Sequence, residues 1–213
     1  MTPVTVLAEE RQVLTGVDWA RYESLLREYE GRHFRLTYDR GTLEIMTVSP
    51  WHERAKKLLA RLLEALAEEL DIPVLGFGNW TMREELIARG LEPDECWYIQ
   101  HEGLVRDKRE IDLRVDPPPD LVVEVEVSRS VLDRLHIYAA LKIPEVWRFD
   151  GQTLVVCLLG EDGEYVESPK SLTFPQPALE GLPLFFAQWD KVDQTRLIKS
   201  FRAWVRDRLI REP

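Results

Sequence analysis

The chain has 213 residues, 45% of them hydrophobic and 31% charged, a balance that suits one folded domain with its own core and excludes a disordered chain. Its net charge of −10 argues against a general nucleic-acid coat protein, which would be basic, while leaving room for a local basic patch or a metal-binding carboxylate site. No run of about 18 apolar residues is present and the N-terminus lacks the basic start and apolar stretch of a signal peptide, so no membrane association is expected.

Residues 1–15 read as a loose arm. Asp18, or Thr15, can cap a short helix through Trp19, Tyr22, Leu25, Leu26 and Tyr29. HFRLTYD and TLEIMTV, joined around Arg40 and Gly41, alternate as a β-hairpin. Ser49 as N-cap and Pro50 at the first helical position then open a long helix, with Ala55, Leu58, Leu59, Leu62, Leu63, Leu66 and Leu70 at helical spacing. His52 projects onto the side of these leucines, either as a hydrogen-bonded histidine at the edge of the core or as a site residue.

VLGFGNWTMR and EPDECWYIQ read as two further strands, and the charged residues 100–116 as an exposed excursion. Next comes LVVEVEV at 121–127, a strongly β-prone run behind three prolines. Alternation puts Asp120, Glu124 and Glu126 on one face with Val122, and Leu121, Val123, Val125 and Val127 on the other. Ser128 or Ser130 can cap a helix carrying Val131, Leu132, Leu135, Tyr138 and Leu141. EVWRFD is another strand, and TLVVCLL and EYVESP form a hairpin around GEDG. Residues 194–211 form an amphipathic helix whose polar side carries Arg196, Lys199, Arg202, Arg206, Arg208 and Arg211. That side is either the ordinary charged face of a helix or a patch for a phosphate backbone. Tryptophans 80, 97, 147 and 204 fit core or sheet-edge positions. Cys96 and Cys157 have no metal-binding spacing and read as buried thiols in a reducing cytoplasm. The element order suits an α/β (α+β) fold, a mixed sheet with helices on its faces, in a single domain 1–213 with a core at 31–168 and a helical extension at 181–211.

Three carboxylates, Asp94, Glu124 and Glu126, can converge from two strands. Brought together they repel unless a cation neutralises them, and hard oxygen ligands point to magnesium or manganese. The competing reading is a solvated acidic strand face.

The stretches SPWHERAKKLLARLL, EPDECWYI, PPDLVVEVEVSRS and RLHIYAALKIPEVWRFD, in this order across residues 41–150, resemble the Uma-type family of restriction-endonuclease-like proteins within the PD-(D/E)XK nuclease superfamily. The resemblance implies a restriction-endonuclease-like mixed sheet flanked by helices. It assigns Asp94 as the first acidic ligand and Glu124 as the second, both to the metal. The superfamily's lysine position is occupied here by Glu126. In the family's own variant the lysine lies just before the LxxYAA segment, where this chain has Arg134, an arginine whose pKa makes it a poor proton relay. His52 matches a histidine at the start of the family's long helix. Lys142 stands where the family has glycine, and Asp120 is expected to be structural or an outer group.

The implied activity is a Mg2+- (or Mn2+-) dependent endonuclease acting on duplex DNA, with a homodimer compatible because two strands need two sites. The alternatives are a nuclease fold that binds DNA or protein without cleaving, and a hydrolase of some other phosphoester.

Overall fold

The computed structural model describes residues 9–126 and 130–210. The N-terminal arm is not loose over its described part. Strand β1 (Arg11–Thr15) pairs antiparallel with the second strand of the following hairpin. Helix α1 (Trp19–Tyr29) starts where Asp18 accepts a hydrogen bond from the Arg21 N–H at 2.8 Å. The hairpin consists of β2 (Phe34–Asp39) and β3 (Thr42–Thr47). Arg40 and Gly41 both have positive φ in its two-residue turn, the geometry that matches the strand twist. Along the hairpin Leu36, Tyr38, Leu43 and Ile45 pack with Tyr22 and Leu25 of α1. The alternate residues, among them Arg35, Thr37, Glu44 and Met46, therefore face the other way, toward the rest of the molecule.

Helix α2 (Pro50–Glu69) begins as its sequence dictates, with the Ser49 hydroxyl accepting from the His52 N–H. The stretch VLGFGNWTMR is two strands rather than one. β4 (Leu75–Gly76) and β5 (Met82–Glu84) belong to different sheets, and Gly78 at φ +61° turns the chain between them. The loop after them holds a further strand, β6 (Arg89–Leu91), followed by β7 (Glu95–Tyr98). The charged excursion contains one short helix, α3 (Glu102–Val105), tied down by buried Val105.

Strand β8 (Leu121–Val125) runs parallel to β9 (Glu145–Phe149), the two linked over helix α4 (Arg134–Ala140). The α4 cap is Asp133, which accepts from the His136 N–H. Ser130 instead donates to Glu44. The expectations for Val127, Ser128 and Arg211 lie outside the described residues. β10 (Leu154–Leu159) and β11 (Tyr165–Ser168) complete the second sheet.

Two helices close the chain. α5 (Gln176–Phe186) starts within a proline-rich stretch, and α6 (Gln194–Val205) continues into a π-helical turn, Arg206–Ile210. A Cβ at Gly181 of α5 would sit 2.3 Å from the Trp204 ring, so glycine is what lets the two helices meet.

The mixed sheet expected is thus joined by a second sheet. One is antiparallel, in the order β1-β3-β2-β6-β5; the other is mixed, β11-β10-β9-β8-β7-β4. Leu121, Val123 and Val125 of β8 join the main core with α2, α5 and α6, while Val122 packs with Ile137 and Tyr138 of α4 and with Met82 and Leu91 of the first sheet. Glu124 shares the face of Val122, so it points into the space between α4 and the hairpin. Cys96 and Cys157 are buried free thiols. No helix among the described residues is long and apolar enough to cross a membrane.

Candidate active site

The β7–β8 register pairs Glu95 with Val123, which sets Asp94, one residue earlier, beside Glu124 on the neighbouring strand. Both carboxylates line one cavity of about 410 Å³, whose other walls include Met46 of β3, Arg134, Leu135 and Tyr138 of α4, and Arg148 of β9.

Asp94 is held by three donors. Its Oδ1 accepts from Arg35 Nη1 and His52 Nε2, both at 2.6 Å, and its Oδ2 from the Val125 N–H at 2.6 Å. Burial works against the anion, but the Arg35 charge, the His52 bond and the Val125 N–H outweigh it and hold the carboxyl well below the usual range. Arg35 comes from the inward-facing row of β2 and also donates to the Pro93 carbonyl at 2.7 Å, so it fixes the backbone ahead of Asp94 as well as its side chain. Burial disfavours charge on His52 too, yet its bonds to Asp94 and to Glu9 raise its pKa to about 9.

Glu124 is gripped from α4. Its Oε1 accepts from Arg134 Nη2 at 2.6 Å, from Arg134 Nε at 3.2 Å and from the Tyr138 hydroxyl. Arg134 and Tyr138 lie one helical turn apart, so a single helix face delivers both. Arg134 further donates to Thr37 Oγ1 at 2.6 Å and to the Glu92 carbonyl at 2.7 Å, tying α4 to the hairpin sheet. Burial and the nearby Asp94 charge push the Glu124 carboxyl upward, against the pull of Arg134. Burial lowers the Arg134 pKa, but the Glu124 charge more than reverses this, so the guanidinium stays charged.

The five residues singled out in the sequence do not all converge. Asp94, Glu124, Arg134 and His52 surround the cavity. Glu126 lies at its mouth, 42% exposed and paired with Arg148 Nε at 2.6 Å. Asp120 is structural: it accepts from the Ile99 and His101 N–H groups and from His101 Nδ1, clamping the end of β7. Part of the basic side of the C-terminal helix is taken up within the molecule: Arg202 pairs with Glu68 and Glu69 of α2, Arg206 with Glu69, and Arg196 with Asp193. Trp97 and Trp147 are core residues.

Three contributors escaped the sequence reading. Arg35 was legible as the polar half of the alternation in FRLTYD. Tyr138 looked like one more helical core position, and Glu9 gave no local signal at all.

Among the described residues no three His, Cys, Asp or Glu side chains form a metal-ligand group. The two carboxylates that share the cavity and could hold a divalent cation are Asp94 and Glu124. Asp94 Oδ1 is saturated by two donors, whereas Oδ2 takes one and keeps a lone pair. Glu124 Oε2 takes no donor among the described residues, and the Glu124 side chain is 13% exposed. One oxygen from each of two adjacent carboxylates fits magnesium or manganese, which need few protein ligands and keep waters.

No curated protein matches the chain. The Uma2 family model, described as "Putative restriction endonuclease", matches residues 19–193, a span containing Asp94, Glu124, Arg134 and His52. The chain, with its restriction-endonuclease-like α/β fold, belongs to the Uma2 family.

Proposed function

We propose that the chain is a divalent-metal-dependent endonuclease that hydrolyses DNA phosphodiester bonds at Asp94, Glu124 and Arg134. The observation that carries this reading is the side-by-side arrangement of Asp94 and Glu124 in one cavity, each with an oxygen to spare. Magnesium or manganese held by these two carboxylates would supply Lewis-acid polarisation of the scissile phosphate and a more acidic bound water.

The chain's own residues do the rest. His52 and Arg35 hold Asp94 ionised and oriented. Tyr138 holds Glu124 from the side of α4. Arg134, a planar fork with both charge and reach, binds a non-bridging phosphate oxygen. It does not relay a proton, because its guanidinium stays charged throughout. One chain supplies one Asp94–Glu124 pair, so cleavage of a duplex on both strands requires a second copy or a second encounter. Nicking of supercoiled plasmid with Mg2+ or Mn2+, abolished in Glu124→Ala and in EDTA, is the expected result. Turnover of nucleotides or simple phosphomonoesters without nicking would instead identify a hydrolase of other phosphoesters.

One observation favours a second reading, a nuclease fold that binds DNA or protein without turnover. Arg134 stands in the lysine position and is committed to Glu124, Thr37 and the Glu92 carbonyl. On that reading wild type binds DNA without nicking it, and Arg134→Lys is the variant that restores cleavage.

A further inference from the structure

Glu9 precedes the family-matched stretch by ten residues, yet its side chain is fully buried against the site. Two features bring it there. The Thr47 N–H donates to the Glu10 carbonyl, and β1 then pairs along β3 from Arg11 opposite Met46, so the arm is stitched to the hairpin just before α2 begins. Arg11 completes the anchor, reaching Glu44 at 2.6 Å and Glu9 at 3.5 Å. Glu44 in turn accepts from Ser130 Oγ and the Val131 N–H on the opposite rim of the cavity.

Glu9 Oε1 lies 2.7 Å from His52 Nδ1, and His52 Nε2 lies 2.6 Å from Asp94 Oδ1. The imidazole is 3% exposed. With a carboxylate on each nitrogen in a buried pocket, the ring has one orientation; any rotation strands a buried carboxylate without its donor.

We infer that Glu9 is a positioning residue of this centre, supplied by the N-terminal strand, which sets Asp94 through His52. The inference rests on the reading of Asp94 as a metal-binding carboxylate. Its hydrogen bond to His52 Nδ1 carries the effect to Asp94 through the imidazole, as outer partners of metal-site residues act in general.

The test is a cycle of full-length variants: wild type, Glu9→Gln, His52→Gln and the double variant, each titrated with Mn2+ by calorimetry and unfolded in urea. Glu9→Gln keeps the volume and a carbonyl acceptor, so the fold survives it. The expected result is about tenfold weaker Mn2+ binding in Glu9→Gln, with no further loss when the same change is made in His52→Gln. Unchanged Mn2+ affinity in Glu9→Gln, or an equal loss in both backgrounds, overturns the inference while leaving the metal site standing. If wild type binds no Mn2+, the metal reading fails, and the urea arm decides the positioning. There, the midpoint shift from Glu9→Gln must be smaller in an Asp94→Asn background, with that difference gone once His52 is glutamine. Equal shifts in all backgrounds overturn it.

Discussion

Arg134 and Glu124 meet at 2.6 Å inside the cavity, and from the same position the guanidinium reaches Thr37 and the Glu92 carbonyl. The carboxylate that a divalent cation would use is thus neutralised by a side chain of the protein itself. Arg35 does the same for Asp94. Two guanidinium groups against two carboxylates explain how the pair is tolerated in a largely buried place.

Replacing Arg134 by lysine exchanges a rigid fork for a point charge on a flexible stem. Arg134→Lys is expected to raise Mn2+ affinity about tenfold and to increase plasmid nicking. The lost bonds to Thr37 and the Glu92 carbonyl lower stability by about 1 kcal/mol. Calorimetry and urea unfolding of the same preparation check both halves, and equal metal affinities would mean that the guanidinium does not compete for Glu124.

Removing the other partner has a larger effect on the fold. Glu124→Ala leaves the Arg134 charge without its anion and the Tyr138 hydroxyl without its acceptor, a loss of about 3 kcal/mol. Adding Arg134→Met should recover most of that loss, because the stranded charge goes with it. A Glu124→Ala protein as stable as wild type would show that the pair is effectively solvated.

The environment of His52 sets a pH dependence. Its pKa is raised from 6.5 to about 9 in the folded protein, so folding favours the protonated ring. The associated stability, on the order of 3 kcal/mol, is fully present below about pH 6.5 and is lost as pH rises through 9. Urea midpoints measured from pH 6 to 10 in EDTA should therefore fall more steeply for wild type than for His52→Gln. Parallel curves would contradict this assignment.

Helix α4 ends in a Schellman arrangement, with the Lys142 N–H on the Ala139 carbonyl and the Ile143 N–H on the Tyr138 carbonyl. Lys142 holds the left-handed position at φ +60° and is exposed. Lys142→Gly relieves the Cβ strain and is expected to stabilise the protein by about 0.5–1 kcal/mol, raising Tm by about 2 °C. A lower Tm would mean that the lysine stem packs usefully.

What the sequence revealed follows the range of the interactions involved. The β8 strand, the Ser49–Pro50 helix start and the hairpin turn at Arg40–Gly41 are local, set by alternation, capping and backbone freedom, and they were readable. The break inside VLGFGNWTMR depends on two strands joining different sheets, which no local pattern encodes. The helical extension expected from residue 181 holds two helices, and the start of α5 at Gln176 was obscured by its prolines, because its stability comes from packing on α2 and α6. Within the site, Asp94 and Glu124 were legible through their strand and motif context. Glu126 shared the alternation of Glu124 but sits just past the end of β8, where Arg148 takes it up. Glu9 meets His52 across 43 residues, and only the folded hairpin brings them together.

The most direct test of the central claim is a calorimetric titration of Mn2+ into wild type and Glu124→Gln at neutral pH. Glutamine keeps the shape and an acceptor for Arg134 while removing the charge. Saturable binding by wild type, weakened at least about tenfold in the variant, is the result expected of a centre held by Asp94 and Glu124. No saturable binding by wild type, or equal binding by both proteins, would contradict it.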